Sequence, residues 1–160
     1  MKIIEYEDKY LEDVRDLLTE LEEYIVSIDK DNLDHVHPLY REKMALVDLD
    51  EVKNNKGKCY LAIDNDKAIG LIMGTIPGYD EYDYLDYKCP NRGIITELIV
   101  TKNTRSKGIG KELMKYMENY FKDNNCEYVL VDVFAYNNLG INFYNKNGYH
   151  PRMYVDIKKL

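Results

Sequence analysis

The chain has 160 residues, enough to bury one sizeable hydrophobic core, and we expect a single domain over residues 1–160. Its net charge of −7 argues against a nucleic-acid-binding surface, because phosphate backbones require basic patches. The first residues lack an apolar signal region, and no run of about 18 apolar residues occurs. The sequence therefore predicts a cytoplasmic protein that neither spans nor binds a membrane.

The cysteines and histidines do not form a metal-binding pattern. Three cysteines are widely separated: Cys59, Cys89 and Cys126. They predict reduced, structural thiols, since no C-x-x-C pair is present. His35 and His37 are separated by one residue, but no third ligand lies nearby and Pro38 indicates a loop. We expect no metal, and contact with a substrate is the more favoured role for these histidines.

The first half of the chain predicts a strand, two helices and a hairpin. Residues 2–6 read as a strand, and the apolar residues between 11 and 21 recur at the spacing of a core-facing helix. A second helical pattern follows in residues 39–55. Two apolar segments, 58–63 and 67–76, flank an Asp-Asn-Asp turn and predict a hairpin.

The second half alternates strands with helices after a polar, tyrosine-rich loop. We predict the loop at 77–92, strands at 93–100 and 127–135, helices at 108–123 and 137–148, and a last strand at 149–159. Gly148 is expected to end the second of these helices. The whole order, β-α-α-β-β-β-α-β-α-β, predicts an α/β fold with a mixed sheet flanked by helices.

A short basic turn links a predicted strand to a predicted helix. It contains Arg105, Lys107 and Lys111 together with two glycines, Gly108 and Gly110. The first N–H groups of a helix have no intrahelical acceptors, and glycines let that backbone approach a ligand closely. The pattern favours a site for a phosphate group; a basic helix entry that merely caps itself is the alternative.

Two common phosphate-binding loops do not fit the spacing. A Walker A loop would need a glycine at the position of Arg105 and a Ser or Thr at Glu112. A dinucleotide-binding turn would need its third glycine at Leu113. Neither of these two patterns fits the turn.

The turn resembles the pyrophosphate-binding motif R/Q-x-x-G-x-G/A of the GCN5-related N-acetyltransferases, present here as RSKGIG. The segment ELIVTKNTRSKGIGKELM is similar to that family's fourth strand, turn and third helix. AYNNLGINFYNKNGY is similar to its late N-x-x-A-x-x-F-Y-x-x-x-G-F/Y segment. The resemblance covers residues 94–149 well and the first ninety residues by element order. It implies the acyl-CoA N-acyltransferase fold.

The resemblance also implies a set of acetyl-CoA-binding positions. The backbone of β-strand residues Leu98, Ile99 and Val100 would pair with the pantetheine arm as an added strand would. The pyrophosphate would lie against Arg105, Ser106, Lys107, Gly108, Ile109, Gly110 and Lys111. Asn137 would lie near the cofactor arm. Two positions depart from the family pattern. This chain has Lys102 where the family often has proline, and Gly140 where the family often has alanine.

Acyl transfer from a thioester to an amine needs a general base and a protonated leaving thiolate. Glu97, two residues before Ile99, is our candidate base, and Tyr144, which the resemblance places close to the sulfur, is our candidate acid. A solvated or paired strand carboxylate and an ordinary core tyrosine are the alternatives. The cysteines do not match cofactor positions, so we expect direct attack in a ternary complex.

The loop at 77–92 interleaves four acids with four tyrosines between residues 79 and 87, a pattern that attracts cations. A solvated surface or a homodimer contact is the alternative. We expect an N-acetyltransferase acting on the primary amine of a small cation such as a polyamine or an aminoglycoside. A protein N-terminal or lysine acetyltransferase and a non-catalytic acyl-CoA-binding module are the other hypotheses.

Overall fold

A computed structural model describes residues 1–105 and 107–160 of the chain. Its strands are β1 (Lys2–Glu5), β2 (Lys58–Asp64), β3 (Lys67–Thr75), β4 (Arg92–Val100) and β5 (Tyr128–Val131). Its α-helices are α1 (Leu11–Ile28), α2 (Tyr40–Asn54), α3 (Ile109–Asp123) and α4 (Asn138–Lys146). Short 3-10 turns lie at Asp8–Tyr10, Asp83–Leu85 and Lys102–Thr104.

The five strands form one sheet in the order β1-β2-β3-β4-β5. Neighbouring strands are antiparallel except β4 and β5, which are parallel and are joined through α3. The β2–β3 turn uses Asn65 and Asp66 at positive φ, as a tight two-residue hairpin requires. The prediction of a mixed sheet flanked by helices is confirmed.

Each face of the sheet carries its own hydrophobic cluster. Val14, Leu17 and Leu18 of α1, spaced as one helix face, are buried against one side of the sheet together with residues of α2. Leu113 and Met117 of α3 are buried on the opposite side, which α4 also covers in part. The sheet is therefore the middle layer, and β4 contacts both helical layers.

The prediction of a last strand at 149–159 is wrong. Residues 149–160 have no regular secondary structure, and Met153, Tyr154 and Val155 are largely exposed. β5 also ends at Val131, four residues before the predicted end. The alternating apolar residues of the tail suit a strand, but strand propensity forms a strand only where a partner is hydrogen-bonded and one face is covered.

Three further sequence predictions concern isolated features. Cys59, Cys89 and Cys126 are free thiols. His37 accepts a hydrogen bond on Nδ1 from the N–H of Leu39, and its ring lies edge-on to that of His35. Among the described residues, no helix combines the length and the apolar character needed to cross a membrane.

Candidate active site

A β-bulge in β4 decides which way Glu97 points. On β3, Met73 pairs with Glu97 and the next residue pairs with Ile95, so Thr96 is left as an extra residue. Side chains alternate between the two faces of a strand, and one extra residue inverts that alternation. Ile95 accordingly packs in the hydrophobic cluster on the side of the sheet that α3 covers. Ile99 packs in the cluster on the opposite side, which α1 and α2 cover. Glu97, two residues before Ile99, faces α1 and α2.

Glu97 has the electrostatics of a base tuned for neutral pH. Burial, together with the smaller effects of the nearby charges of Asp48, Glu22 and Glu51, raises the pKa of its carboxyl from 4.5 to about 8. Like charges and a desolvated setting both penalise the carboxylate form. A carboxyl with such a pKa takes a proton far more readily than a solvated one.

The residues around Glu97 come from α1 and α2, and sequence reasoning missed them. We call Glu22, Asp48, Glu51 and Glu97 the acidic cluster. Burial raises the pKa of Asp48 to about 6, with Glu51 adding to the rise. Burial also raises the pKa of Glu22, while His35 opposes that rise. The three-residue spacing of Asp48 and Glu51, which places both on one face of α2, was the available sequence signal.

Tyr40 and Tyr144 bring phenol groups to the same region. Burial raises the pKa of Tyr40 above its usual range, and the charges of Glu22, Glu97 and Asp48 make smaller contributions to the same rise. Burial raises the pKa of Tyr144 to about 12, and the charge of Glu97 contributes to it. The two predicted catalytic residues are therefore close enough to influence each other, although one lies on β4 and the other on α4.

Beyond Ile95, β4 has an open edge. Its parallel pairing with β5 runs from Arg92 to Ile95 and goes no further in the described part of the chain. The edge that faces away from β3 therefore has no paired strand along Leu98, Ile99 and Val100, although the carbonyl oxygen of Val100 accepts a hydrogen bond from Arg105. An extended ligand with amide groups could add to this edge by main-chain hydrogen bonds.

The short basic turn that contains Gly108 and Gly110 lies at the end of that open edge. Gly108 has φ +79° and caps the N-terminus of α3, and no described atom lies within 4 Å of where its Cβ would be. Lys107 and Lys111 are exposed beside it. The first N–H groups of α3, together with the positive end of its dipole, suit an anion. Ser106, predicted to belong to this turn, lies outside the described residues.

Arg105 is held by protein groups and does not point freely into the turn. Its Nε donates to the carbonyl oxygen of Val100 at 2.9 Å, and its Nη2 lies 3.7 Å from Oε1 of Glu20. Its guanidinium also lies over the ring of Tyr24, at 5.7 Å from the centroid. These contacts give Arg105 a role in fixing the turn besides the predicted charge toward a phosphate.

Asn137 joins α4 to α1. Its Oδ1 accepts the N–H of Gly140 at 2.8 Å, which caps α4, and the hydroxyl of Tyr24 at 3.2 Å. A Cβ on Gly140 would lie 2.6 Å from Nδ2 of Asn137. The glycine that departs from the family pattern therefore leaves room for the capping side chain.

The acidic, tyrosine-rich loop is ordered by its own groups. Asp80 accepts the N–H groups of Tyr82 and Asp83, and Asp83 accepts that of Asp80. The ring of Tyr79 stacks under the guanidinium of Arg92 at 4.1 Å. None of the loop carboxylates is among the charges that raise the pKa of Glu97. Two of its four acids thus have a local structural role.

Comparison with known proteins identifies the family. A model of the acetyltransferase (GNAT) family matches residues 11–149, and the chain belongs to that family. The uncharacterized N-acetyltransferase MJ1530 of Methanocaldococcus jannaschii is 34% identical over 94 residues, which cover 58% of this chain and 53% of that protein. The match thus spans about half the length of this curated relative.

Solved structures share the fold at low sequence identity. A mutant of the BH1408 protein from Bacillus halodurans has a TM-score of 0.85 at 18% identity, covering 100% of this chain and 99% of that one. The aminoglycoside N-acetyltransferase AAC(6')-Iy, solved with CoA, has a TM-score of 0.70 at 15% identity, with coverages of 99% and 98%. AAC(6')-IG from Acinetobacter haemolyticus has a TM-score of 0.70 at 17% identity, with coverages of 100% and 99%.

Proposed function

We propose that the protein is a cytoplasmic, acetyl-CoA-dependent N-acetyltransferase whose acceptor is the primary amine of a small cation. The observation that carries this proposal is that the unpaired edge of β4 lies on the same strand as Glu97, a carboxyl with a pKa of about 8 whose charge also raises the pKa of Tyr144. Membership of the acetyltransferase (GNAT) family supports it independently.

The residues on the cofactor side fit acetyl-CoA. The edge along Leu98 to Val100, which has no paired strand, suits the amides of the pantetheine arm. The exposed N-terminus of α3, with Gly108 leaving space and Lys107 and Lys111 alongside, suits the pyrophosphate. The edge leads directly into the turn, so one extended ligand can contact both. When bound there, acetyl-CoA supplies a thioester carbonyl carbon as the electrophile.

Glu97 and Tyr144 have complementary roles in this proposal. The ionised carboxylate of Glu97 takes a proton from the ammonium form of the acceptor, directly or through a water molecule, so that the nitrogen lone pair can attack the thioester carbon. As the C–N bond forms and the C–S bond breaks, Tyr144 donates its proton to the departing sulfur, and the surplus proton of the new amide nitrogen returns to the phenolate oxygen of Tyr144. Cys59 is buried in the core, and neither Cys89 nor Cys126 matches a cofactor position of the family motif, which favours direct attack over a cysteine-bound acyl group.

The acidic cluster supports a cationic acceptor. Four carboxylates from α1, α2 and β4 face one region, and a cation there would relieve their mutual repulsion. Two aminoglycoside N-acetyltransferases share the fold, which supports an aminoglycoside-like acceptor. We therefore propose α1 and α2, more than the acidic loop, as the surface that recruits the acceptor.

A screen of amines tests the proposal. Purified protein would be supplied with acetyl-CoA and a panel of polyamines, aminoglycosides, neutral amines and peptides, and thiol release and acetylated product would be measured together. We expect equal amounts of CoA and acetylated amine, with polycations preferred. Preference for a peptide would instead indicate a protein acetyltransferase, and CoA binding without turnover on any amine would indicate a binding module.

A further inference from the structure

The carboxylate of Glu20 on α1 contacts several residues at the start of the turn between β4 and α3. Oε2 of Glu20 accepts the hydroxyl of Thr101 at 2.7 Å, and Oε1 accepts the backbone N–H of Lys102 at 2.8 Å. Oε1 also lies 3.7 Å from Nη2 of Arg105. Three residues within five positions of the chain are thereby tied to a single helical side chain, which is two-thirds buried.

The bond to Lys102 replaces a restraint that a proline would supply. Lys102 is the first residue of the 3-10 turn, and Thr101 before it has a ψ of 142°, within the range of ψ favoured before proline. A proline at that first position would fix φ and needs no hydrogen-bond acceptor. Lysine leaves φ free, and its N–H is instead held by Glu20.

The same contacts reach the other parts of the site. Arg105, held near Glu20, donates to the carbonyl of Val100, the last residue of β4, and lies over Tyr24. The hydroxyl of Tyr24 donates to Asn137, which caps the helix that carries Tyr144. A single polar network therefore joins α1, the turn and α4.

We propose that Glu20 is a positioning residue, which fixes the start of the turn so that the open edge of β4 and the N-terminus of α3 are held at the spacing that CoA requires. It acts through the backbone of Lys102 and the side chain of Arg105, and it does not touch the reacting atoms. This inference rests on the proposed function for its CoA readout, and its structural part can be measured without any ligand.

The first experiment compares Glu20→Ala with Glu23→Ala, an exposed carboxylate on the same helix, in the full chain. Hydrogen exchange of the Lys102 amide in the free protein should be at least about tenfold faster in Glu20→Ala and unchanged in Glu23→Ala. The Kd for CoA should rise about tenfold in Glu20→Ala alone, while kcat at saturating substrates stays within about twofold.

A second-site proline separates positioning from general loss of stability. Adding Lys102→Pro to Glu20→Ala should return the Kd for CoA to within about threefold of wild type, since the ring restrains the turn without an acceptor. Glu20→Gln should stay close to wild type, because its amide oxygen can accept from Lys102 and its NH₂ can donate to Thr101. A lower melting temperature that Lys102→Pro repairs without repairing CoA affinity would overturn the proposal.

The outcomes also separate this inference from the proposed function. If wild-type protein binds CoA but Glu20→Ala binds it equally well, the positioning role is wrong and the proposed function stands. If wild-type protein binds no CoA, the proposed function fails, and the exchange of the Lys102 amide decides the positioning role. Unchanged exchange in Glu20→Ala would overturn it in either case.

Discussion

Besides burial, the charge of Glu97 on β4 raises the pKa of the phenol of Tyr144 on α4, although the two residues come from different segments of the chain. Burial raises both pKa values, to about 8 and about 12, and the charge of Glu97 adds to the rise at Tyr144. Near neutral pH, Tyr144 is therefore fully protonated, while Glu97 changes its charge within the working range. That order of pKa values suits a base and an acid acting in one step.

The rate of amine acetylation should rise with pH through about 8. Only the ionised form of Glu97 can accept a proton, and its pKa is about 8. Glu97→Gln should slow kcat/KM for the amine by about 100-fold or more above that pH and remove the inflection. A pH–rate profile of both proteins checks this, and an unchanged profile in the variant would exclude Glu97 as the base. A second rise near the pKa of the amine itself, about 10, should remain in both.

The same substitution should make the protein more stable in alkaline buffer. The native pKa of Glu97, about 8, exceeds its ordinary value of 4.5, so the native state binds more protons between these two pH values. The free energy of unfolding therefore falls as pH rises from 4.5 to 8. Glu97→Gln should remove this loss and raise the melting temperature at pH 9, by on the order of 2–4 °C per kcal/mol. A lower melting temperature at pH 9 than wild type would contradict the burial of the charge.

Tyr144→Phe should lower turnover and leave CoA binding intact. The substitution keeps the ring, which packs edge-on against Phe143 and Tyr149, and removes only the proton donor. We expect kcat to fall about 100-fold with a Kd for CoA within about twofold. Tyr149→Phe is the matched control, since it removes a hydroxyl that donates to Glu118 in the same aromatic group. Equal turnover in the two variants would make Tyr144 an ordinary packed tyrosine.

Asp48→Asn should weaken acceptor binding and shift the pH profile. Removing this neighbouring charge lowers the pKa of Glu97, so the inflection near pH 8 should move to lower pH. The KM for a cationic amine should rise, while the KM for acetyl-CoA should change little. Asp50→Asn, an exposed carboxylate on the same helix, is the control.

The acidic loop provides a second comparison for acceptor binding. A variant with Asp80, Glu81, Asp83 and Asp86 replaced by their amides should raise the amine KM less than Asp48→Asn does, because two of these acids order the loop itself. Initial rates over a range of amine concentrations measure the difference. A larger effect of the loop variant would move the recruiting surface from α1 and α2 to the loop.

Gly108→Ala should reduce CoA affinity beyond what backbone strain explains. At φ +79° an alanine costs about 1 kcal/mol, and its methyl group would stand in the space left open for the pyrophosphate. Gly148→Ala is matched for strain, since Gly148 has φ +89° with no described atom near its Cβ. Calorimetric titration with CoA should show weaker binding in Gly108→Ala only. Equal affinity for CoA in both variants would show that the pyrophosphate does not bind at Gly108.

Local patterns predicted most of the elements correctly. Helical spacing of apolar residues predicts α1 and α3, and the Asp-Asn-Asp turn predicts the β2–β3 hairpin. The prediction of a strand at 149–159 was wrong, because the residue pattern there suits a strand but does not specify a strand for it to pair with. Pairing between distant segments is the information that a local pattern lacks.

The candidate site was predictable only along single segments. Glu97 and Tyr144 follow from motif positions, but the approach of α1 and α2 to Glu97 does not. That approach depends on the bulge at Thr96, which reverses the side of the sheet to which the following side chains of β4 point. No glycine or other turn residue in the sequence indicates this bulge. Arg105 was predicted as a charge for the ligand, and its bonds to Val100 and its proximity to Glu20 depend on packing between distant segments.

The most direct test of the account is product formation from acetyl-CoA and the preferred polycationic amine at pH 8.5, in wild type and Glu97→Gln. Mass spectrometry of the amine and thiol titration of CoA would be read from the same reaction, with CoA affinity measured separately. We predict one acetylated amine per CoA released by wild type, and a rate at least about 100-fold lower in Glu97→Gln at unchanged CoA affinity. Equal rates in the two proteins, or CoA binding without acetylation of any amine, would contradict the account.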